Sequence, residues 1–289
     1  MANRLLVIGG QGMLGHKLWQ VAHDAGIDTW ATVRRLDGHL MVSGRALGLE
    51  DATDARALRR AIEDARPDVV VNCVGIVKQS TLASDPMTSL RVNAVLPARL
   101  SVLCQSAHAR FIHISTDCVF SGAQGHYRET DVPDAEDIYG LTKLVGEVGA
   151  PALTLRTSMI GRELSGRHGL VEWFLGEQRP VKGYRGAVFS GLTTLELARV
   201  IVDVIAGHPA LAGLYHLAAA AIDKHTLLTR LGEAFGHDIP IEAVDQPAID
   251  RGLNGAAFLE RTGRRVPGWD QMIREMAADS RAYAQWRQM

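Results

Sequence analysis

Cysteine is scarce in this chain: Cys73, Cys104 and Cys118 are the only three in 289 residues. The number is odd and the spacing matches no metal-binding pattern. A disulfide framework is therefore excluded, no metal site is expected, and reduced thiols in a cytoplasmic protein are the natural reading. An excess of charge is missing too, with 31 Lys and Arg against 32 Asp and Glu, a net charge of −1. Such a balance gives no general attraction to nucleic acid or to an anionic membrane. No apolar run approaches the ~18 residues of a membrane span. The opening Met1-Ala2-Asn3-Arg4 leads into a strand and does not read as a signal peptide. The 11 histidines are scattered, His108 and His113 five apart and His168 alone, which forms no metal set.

What the chain has is apolar substance in a regular rhythm. Hydrophobic residues make up 47%, enough for a full core in one large domain or two small ones. Strands are expected at 4–8, 28–33, 68–74, 111–115 and 152–156, and helices near 14–24, 54–64, 88–108 and 138–148. This alternation predicts an α/β fold with a parallel sheet covered by helices on both faces. The acidic, Gly- and Pro-bearing stretch 122–137 reads as an irregular loop. Beyond Thr157 the rhythm breaks. Trp173 and Phe174 fall on a helix, 195–205 is an amphipathic helix, and 214–218 is a short strand returning to the main sheet. The rest reads as helix, extended segment, Pro-bearing loops and a final helix.

The first strand runs straight into Gly9-Gly10-Gln11-Gly12-Met13-Leu14-Gly15, and a helical pattern follows. Strand, glycine-rich turn and helix is the context of a Rossmann dinucleotide-binding fingerprint, here spaced Gly-x-x-Gly-x-x-Gly. One glycine permits the tight turn, one lets the backbone approach a pyrophosphate, and one packs helix on strand. The helix N-terminus offers free amides to the phosphate. Gly9, Gln11, Gly12, Met13, Leu14 and Gly15 are the cofactor candidates. The second strand ends in Arg34-Arg35, where NAD enzymes of this fold commonly place a carboxylate for the ribose hydroxyl. Two guanidiniums suit a 2′-phosphate instead, so NADPH is preferred over NADH, with a solvated basic turn as the alternative. Asn72, Cys73, Val74 and Gly75 close the fourth strand, where backbone would run along the cofactor.

Tyr139 and Lys143 stand four residues apart, about one helical turn, and share a helix face. An ammonium near a phenol favours phenolate and lowers a pKa that starts near ~10, which tunes tyrosine for proton transfer. Upstream, Ile112-His113-Ile114-Ser115-Thr116-Asp117-Cys118-Val119-Phe120 reads as a buried strand ending in hydroxyls. Thr116 and Tyr139 sit on different elements and could converge on one carbonyl oxygen. The alternative is a strand-end turn in which Ser115 or Thr116 bonds its own backbone.

With Asp51-Ala52-Thr53-Asp54, Pro67-Asp68-Val69-Val70-Val71-Asn72, Ser121-Gly122, Tyr127-Arg128-Glu129-Thr130-Asp131, Tyr139 through Glu147 and Leu155-Arg156-Thr157-Ser158 added, the chain resembles the short-chain dehydrogenase/reductase superfamily over nearly its whole length. It is similar to the extended, nucleotide-sugar branch and, more narrowly, to the dTDP-4-dehydrorhamnose reductases. The resemblance implies a Rossmann-type doubly wound parallel sheet binding NADP in residues 1–160 and 190–218. It places a smaller C-terminal substrate-binding lobe in 161–189 and 219–289. The implied activity is NADPH-dependent reduction of the C4 ketone of a nucleotide-diphosphate-linked 4-keto-6-deoxyhexose, for deoxysugar and surface polysaccharide precursors.

In that scheme Tyr139 gives its proton to the carbonyl oxygen, and Thr116 hydrogen-bonds the same oxygen. Lys143 lowers the pKa of Tyr139 and holds the nicotinamide ribose. Asp51 and Ala52 lie at the adenosine end, Ser115 joins the cofactor site, and Asn93 orders the Lys143 side. Asp117, Val119, Arg156, Trp173, Arg185 and Ser190 are candidates for the sugar and diphosphate. Related dehydratases carry Asp-Glu after the threonine; here Cys118 takes the place of that base. Epimerase-reductases carry Cys at the Asp117 position, and Cys118, one residue on, would point to the opposite face of a strand-like segment. Rhamnose-type reductases carry Tyr where this chain has Cys118. A UDP-sugar epimerase or epimerase-reductase is one alternative. A non-catalytic NADP-binding subunit, like the regulatory subunit of methionine adenosyltransferase, is another. Base, sugar and oligomeric state stay open, a homodimer being one option.

Overall fold

A computed structural model describes residues 4–35, 45–77, 83, 85–280 and 283. The first half alternates β1 (Arg4–Ile8), α1 (Gly15–Asp24), β2 (Asp28–Val33), β3 (Ala46–Gly48), α2 (Ala55–Ala65) and β4 (Val69–Asn72). There follow α3 (Pro86–Leu90), α4 (Leu96–Ser106), β5 (Arg110–Thr116), α5 (Ile138–Val145) and β6 (Leu153–Thr157). Then come β7 (Met159–Ile160), α6 (Leu170–Gly176), β8 (Val181–Tyr184), β9 (Ala187–Phe189), β10 (Leu192–Thr193), α7 (Thr194–Gly207) and β11 (Gly213–His216). The chain closes with β12 (Ile222–Asp223), α8 (Lys224–Phe235), β13 (Ile241–Val244), β14 (Ile249–Asp250), α9 (Ala256–Thr262) and α10 (Trp269–Asp279).

Seven parallel strands form the main sheet in the order β11-β6-β5-β4-β1-β2-β3. This is the doubly wound Rossmann-type architecture that the alternation predicts. Leu5, Leu6, Val7 and Ile8 are all fully buried, as a strand covered on both faces requires. Alternate residues divide between two cores. Leu5 and Val7 pack with Leu18 of α1 and Ile201 of α7, while Leu6 and Ile8 pack with Leu58 of α2 and Leu100 of α4. The chain reverses direction across the sheet between β1 and β4, and ligands of open α/β sheets bind beyond the carboxyl ends of the strands at such a point. The short strands make small sheets of their own: β7 with β10, β8 with β13, and β9 between β12 and β14.

Two local expectations change. The strand β3 has three residues and no apolar alternation, so nothing marked it. The helix expected at 88–108 is a run of α3, a π-turn at Arg91–Val95 and α4. Asp85 caps its start by accepting from Met87 N. Pro97 has no N–H to give the Asn93 carbonyl, and at the turn Leu96 N reaches back five residues to Arg91 O. Gly146 fits into the space beside that carbonyl: a Cβ there would lie 1.9 Å from Asn93 O. The end of α5 is thereby seated on the π-turn. Among the described residues no helix is long and apolar enough to cross a membrane, and no group of three or more His, Cys, Asp and Glu side chains converges as a metal site.

Candidate active site

The glycine turn closes β1. Gly9 holds a φ of +89°, and a Cβ on it would come 2.7 Å from Val74 Cγ2. A Cβ on Gly15 would fall 2.1 Å from Gly9 O, so only glycine lets α1 begin this close to the strand. Gly12 is exposed and donates to Gly9 O at 3.0 Å. No side chain caps the start of α1; of its first-turn amides His16 N donates to Gly12 O at 3.1 Å. This cradle fits a pyrophosphate. Gln11 accepts from Arg34 N at 3.0 Å and donates to Arg35 O at 3.3 Å, clasping the end of β2 to the turn. Arg34 and Arg35 are thus held beside the glycines with both side chains exposed. Asp51 follows β3 and accepts from Thr53 N and Oγ1 through Oδ1, which orders the turn around half-buried Ala52. Cys73 and Val74 are half-buried and Gly75 exposed at the end of β4. Burial pushes the Cys73 thiol up to about 12, so it stays protonated.

Thr116 is the last residue of β5; its hydroxyl donates to Asp117 Oδ1 at 3.1 Å and lies close enough to the phenol of Tyr139, near the start of α5, to lower its pKa. The two side chains therefore meet. Thr116 also accepts from Cys118 N at 3.1 Å, so the local strand-end turn and the longer-range contact coexist. Asp137 caps α5 by accepting from Gly140 N at 2.9 Å. A Cβ on Gly140 would lie 2.2 Å from Cys118 O, so glycine lets α5 settle onto the 117–119 turn.

Two expectations about this cluster are corrected. First, the Tyr139 pKa is not lowered, and Lys143 Nζ donates to Ile114 O at 2.7 Å. Desolvation pushes Lys143 down to about 8, against the pull of the Glu147 carboxylate. The Tyr139 pKa is raised, first by desolvation and then by Cys118, while the Thr116 hydroxyl acts to lower it; Lys143 is not among its leading influences. Second, Cys118 is not aimed away. Residues Asp117–Val119 form a 3₁₀ turn, not strand, and the turn brings Cys118 close enough to act on Tyr139. Asp117 is buried, and its carboxyl pKa is raised by loss of solvent against hydrogen bonds from Thr116, Cys118 and Ser158 and the charge of Arg251.

Several candidates prove to be supports. Arg156 is 4% exposed and pairs through Nε and Nη2 with both oxygens of Glu147, each at 2.7 Å. It faces Ser115 across β5 and β6, and the Ser115 hydroxyl donates to Glu147 Oε1 at 2.7 Å. Both side chains are thus engaged with Glu147. Val119 is fully buried with Phe120, Tyr127 and Leu253. Ser190 is buried, its hydroxyl accepting from Leu253 N at 2.7 Å. Arg185 makes an exposed ion pair with Asp245 at 2.9 Å. Asn93 accepts from Ile76 N, donates to Ile76 O and reaches Thr142 Oγ1 at 3.3 Å, so it ties the loop after β4 to α5 rather than contacting Lys143. Trp173 on α6 is 37% exposed, open to a ligand. Arg251, beside Asp117 and donating to Phe120 O at 2.9 Å, had no motif to announce it. Ser158 and Glu147 lie in recognisable segments but had no assigned task.

The family model of the RmlD substrate binding domain matches residues 3–248. The chain belongs to the RmlD substrate binding domain family. Over 145 residues it is 36% identical to the dTDP-4-dehydrorhamnose reductase of Streptomyces griseus, covering 50% of this chain and 43% of that protein. It is also 29% identical over 144 residues to methionine adenosyltransferase 2 subunit beta of Xenopus tropicalis, covering 50% and 41%. The chain thus spans about half the length, or less, of these relatives. Among solved structures, the dTDP-4-dehydrorhamnose reductase of Bacillus anthracis, determined in complex with NADP, superposes with a TM-score of 0.80 at 19% identity, covering 96% of this RmlD-family chain and all of that one. At that identity the likeness establishes the shared fold.

Proposed function

We propose that this chain is a reductase that uses NADPH to reduce the C4 ketone of a nucleotide-linked 4-keto-6-deoxyhexose. The observation that carries the reading is the approach of the Thr116 hydroxyl to the Tyr139 phenol at the carboxyl end of β5. That end lies two strands from the glycine turn of β1 in the same sheet. Two hydroxyls so paired can grip one carbonyl oxygen, and the raised pKa keeps Tyr139 protonated as the donor at neutral pH. NADPH, when bound, supplies the hydride. The chain does the rest. The turn Gly9–Gly15 takes the pyrophosphate, Arg34 and Arg35 take the 2′-phosphate, and Lys143 holds the nicotinamide ribose from its seat on Ile114 O. The name of the Streptomyces relative supports this substrate class.

The domain assignment belongs to the same reading. Residues 1–160 and 190–218 hold the cofactor, and 161–189 with 219–289 form the lobe that closes on the sugar, Trp173 and Arg251 being its best-placed contacts. Residues 1–3, 36–44, 78–82, 84, 281–282 and 284–289 of these ranges lie outside the described residues. A cytoplasmic location suits both the thiols and NADPH. A homodimer would form on the stripe Ile138, Leu141 and Val145 of α5, which are 42%, 44% and 68% exposed on one helix face. Sedimentation of Leu141→Glu as a monomer beside a dimeric parent would support that, and unchanged mass would refute it.

Two other readings each have one observation behind them. Cys118 beside Tyr139 favours an epimerase-reductase. The likeness to the Xenopus subunit favours a non-catalytic role. A panel of dTDP-, UDP- and GDP-4-keto-6-deoxy sugars, scored by loss of NADPH absorbance, tests the main reading. Oxidation of NADPH with one of them is expected. Binding of NADPH without turnover on any would favour the subunit.

A further inference from the structure

The imidazole of His16 is wedged beneath the glycine turn. Its Nδ1 lies 2.7 Å from the carbonyl oxygen of Gly12, and its Nε2 lies 2.5 Å from the hydroxyl of Tyr283. Both side chains are about 1% exposed. A carbonyl oxygen only accepts, so Nδ1 carries the hydrogen, Nε2 is the bare nitrogen, and the Tyr283 hydroxyl donates to it. Burial pushes His16 down to about 4, which keeps the ring neutral at physiological pH. The same Gly12 oxygen accepts from the His16 backbone N–H at 3.1 Å. It is therefore held twice and faces into the protein.

A trans peptide points its C=O and its N–H to opposite sides. The Gly12–Met13 bond is trans, since the cis bonds fall at Ala150–Pro151 and Gln246–Pro247. With the Gly12 oxygen drawn inward, the Met13 N–H is turned the other way, in the uncapped turn that opens α1. Tyr283 is itself braced from two elements. Lys17 Nζ lies 4.9 Å from its ring centroid and pairs with Asp279 of α10 at 2.6 Å. The Arg162 guanidinium lies 5.5 Å from the same ring and pairs with Glu172 of α6 at 2.5 Å.

We propose that Tyr283 is a positioning residue for the dinucleotide: through His16 it locks the Gly12–Met13 peptide with its N–H aimed at the pyrophosphate. A residue 267 positions away in the chain is thereby part of the support of the glycine turn. The inference rests on the NADPH reading above and adds to it a requirement for this end of the chain.

The test is direct binding. Affinities for NADPH and for 2′-AMP, which carries the ribose phosphate without the pyrophosphate, are measured on the full chain and on Tyr283→Phe, His16→Ala and His16→Asn. Tyr283→Phe should weaken NADPH about three- to tenfold, the scale of one hydrogen bond, and leave 2′-AMP unchanged. His16→Ala should weaken NADPH further. His16→Asn, whose amide can still donate to Gly12 O, should recover part of that loss. Parental NADPH affinity in both Tyr283→Phe and His16→Ala would overturn the proposal. Equal weakening of NADPH and 2′-AMP would overturn it too, because it would mark a general loss of structure. Failure of the unmodified chain to bind either NADPH or NADH is a different result, and removes the reductase reading itself.

Discussion

Lys143 donates through Nζ to the carbonyl oxygen of Ile114 at 2.7 Å, so its ammonium is rooted on the strand that ends in Thr116. Desolvation acts on the two side chains in opposite senses. It pushes the lysine down to about 8 and the tyrosine up. At neutral pH the pair is a cation and a protonated phenol, which suits a proton donor poised over a bound ketone.

If the charged form of Lys143 is required, kcat/KM should fall as pH rises through about 8. Glu147→Gln removes the carboxylate that raises Lys143, so the fall should move to lower pH. A profile flat to pH 9 would detach Lys143 from the reaction. The stability effect has the opposite sense. The unfolded lysine titrates near 10.5 and the folded one near 8, so between them the unfolded chain holds the extra proton. The Lys143 contribution to stability therefore rises with pH across that window.

Replacing Tyr139 with Phe keeps the ring and removes the proton. NADPH affinity should stay near the parental value while turnover drops by roughly 10²-fold or more, the scale of a lost general acid. Near-normal turnover would end the assignment of Tyr139 as donor.

Arg34→Glu should weaken NADPH and spare NADH. A lost charged hydrogen bond to phosphate is worth ~1.5–3 kcal/mol, or about one to two decades in affinity. Equal losses for the two cofactors, measured by fluorescence titration, would mean that the Gln11-clasped turn is only structural.

Cys118 lies beside Tyr139, so its part in the chemistry must be tested and not argued from strand geometry. A simple reductase breaks no C–H bond next to the ketone. Cys118→Ser should then keep much of the activity, and product formed in deuterated water should carry no label at C3 or C5. Label together with an inactive Ser variant would move the protein to the epimerase-reductases.

Arg156 shares both oxygens of Glu147 in the interior. Arg156→Met leaves that carboxylate buried and unpaired, which costs about 3–5 kcal/mol. The expected result is a lowered urea midpoint with the substrate KM of the folded fraction unchanged. A raised KM at parental stability would return Arg156 to the substrate site.

The readable parts of this chain were those whose signals lie within a few residues of each other. An apolar strand, glycines three apart and a helical pattern mark the cofactor turn from Arg4 to Asp24, because tight turns and helix starts are local events. The same holds for the Tyr139–Lys143 spacing and for the parallel sheet, whose strands β1 and β4 are apolar nearly throughout, as strands covered on both faces are. Partnership was not readable. Arg156 looked available for phosphate until Glu147 occupied it, and Ser190 until Leu253 did. Residue type alone foretold neither the inward turn of Lys143 nor the 3₁₀ turn that swings Cys118 toward Tyr139. Arg251 and Tyr283 reach the site from 131 and 267 positions away from their partners. The amino-acid order determined which elements form and which chemistry they carry. The tertiary structure decided which side chains are spent on holding the site and which are left to use it, because hydrogen-bond partners buried in a close-packed interior are chosen by distance in space.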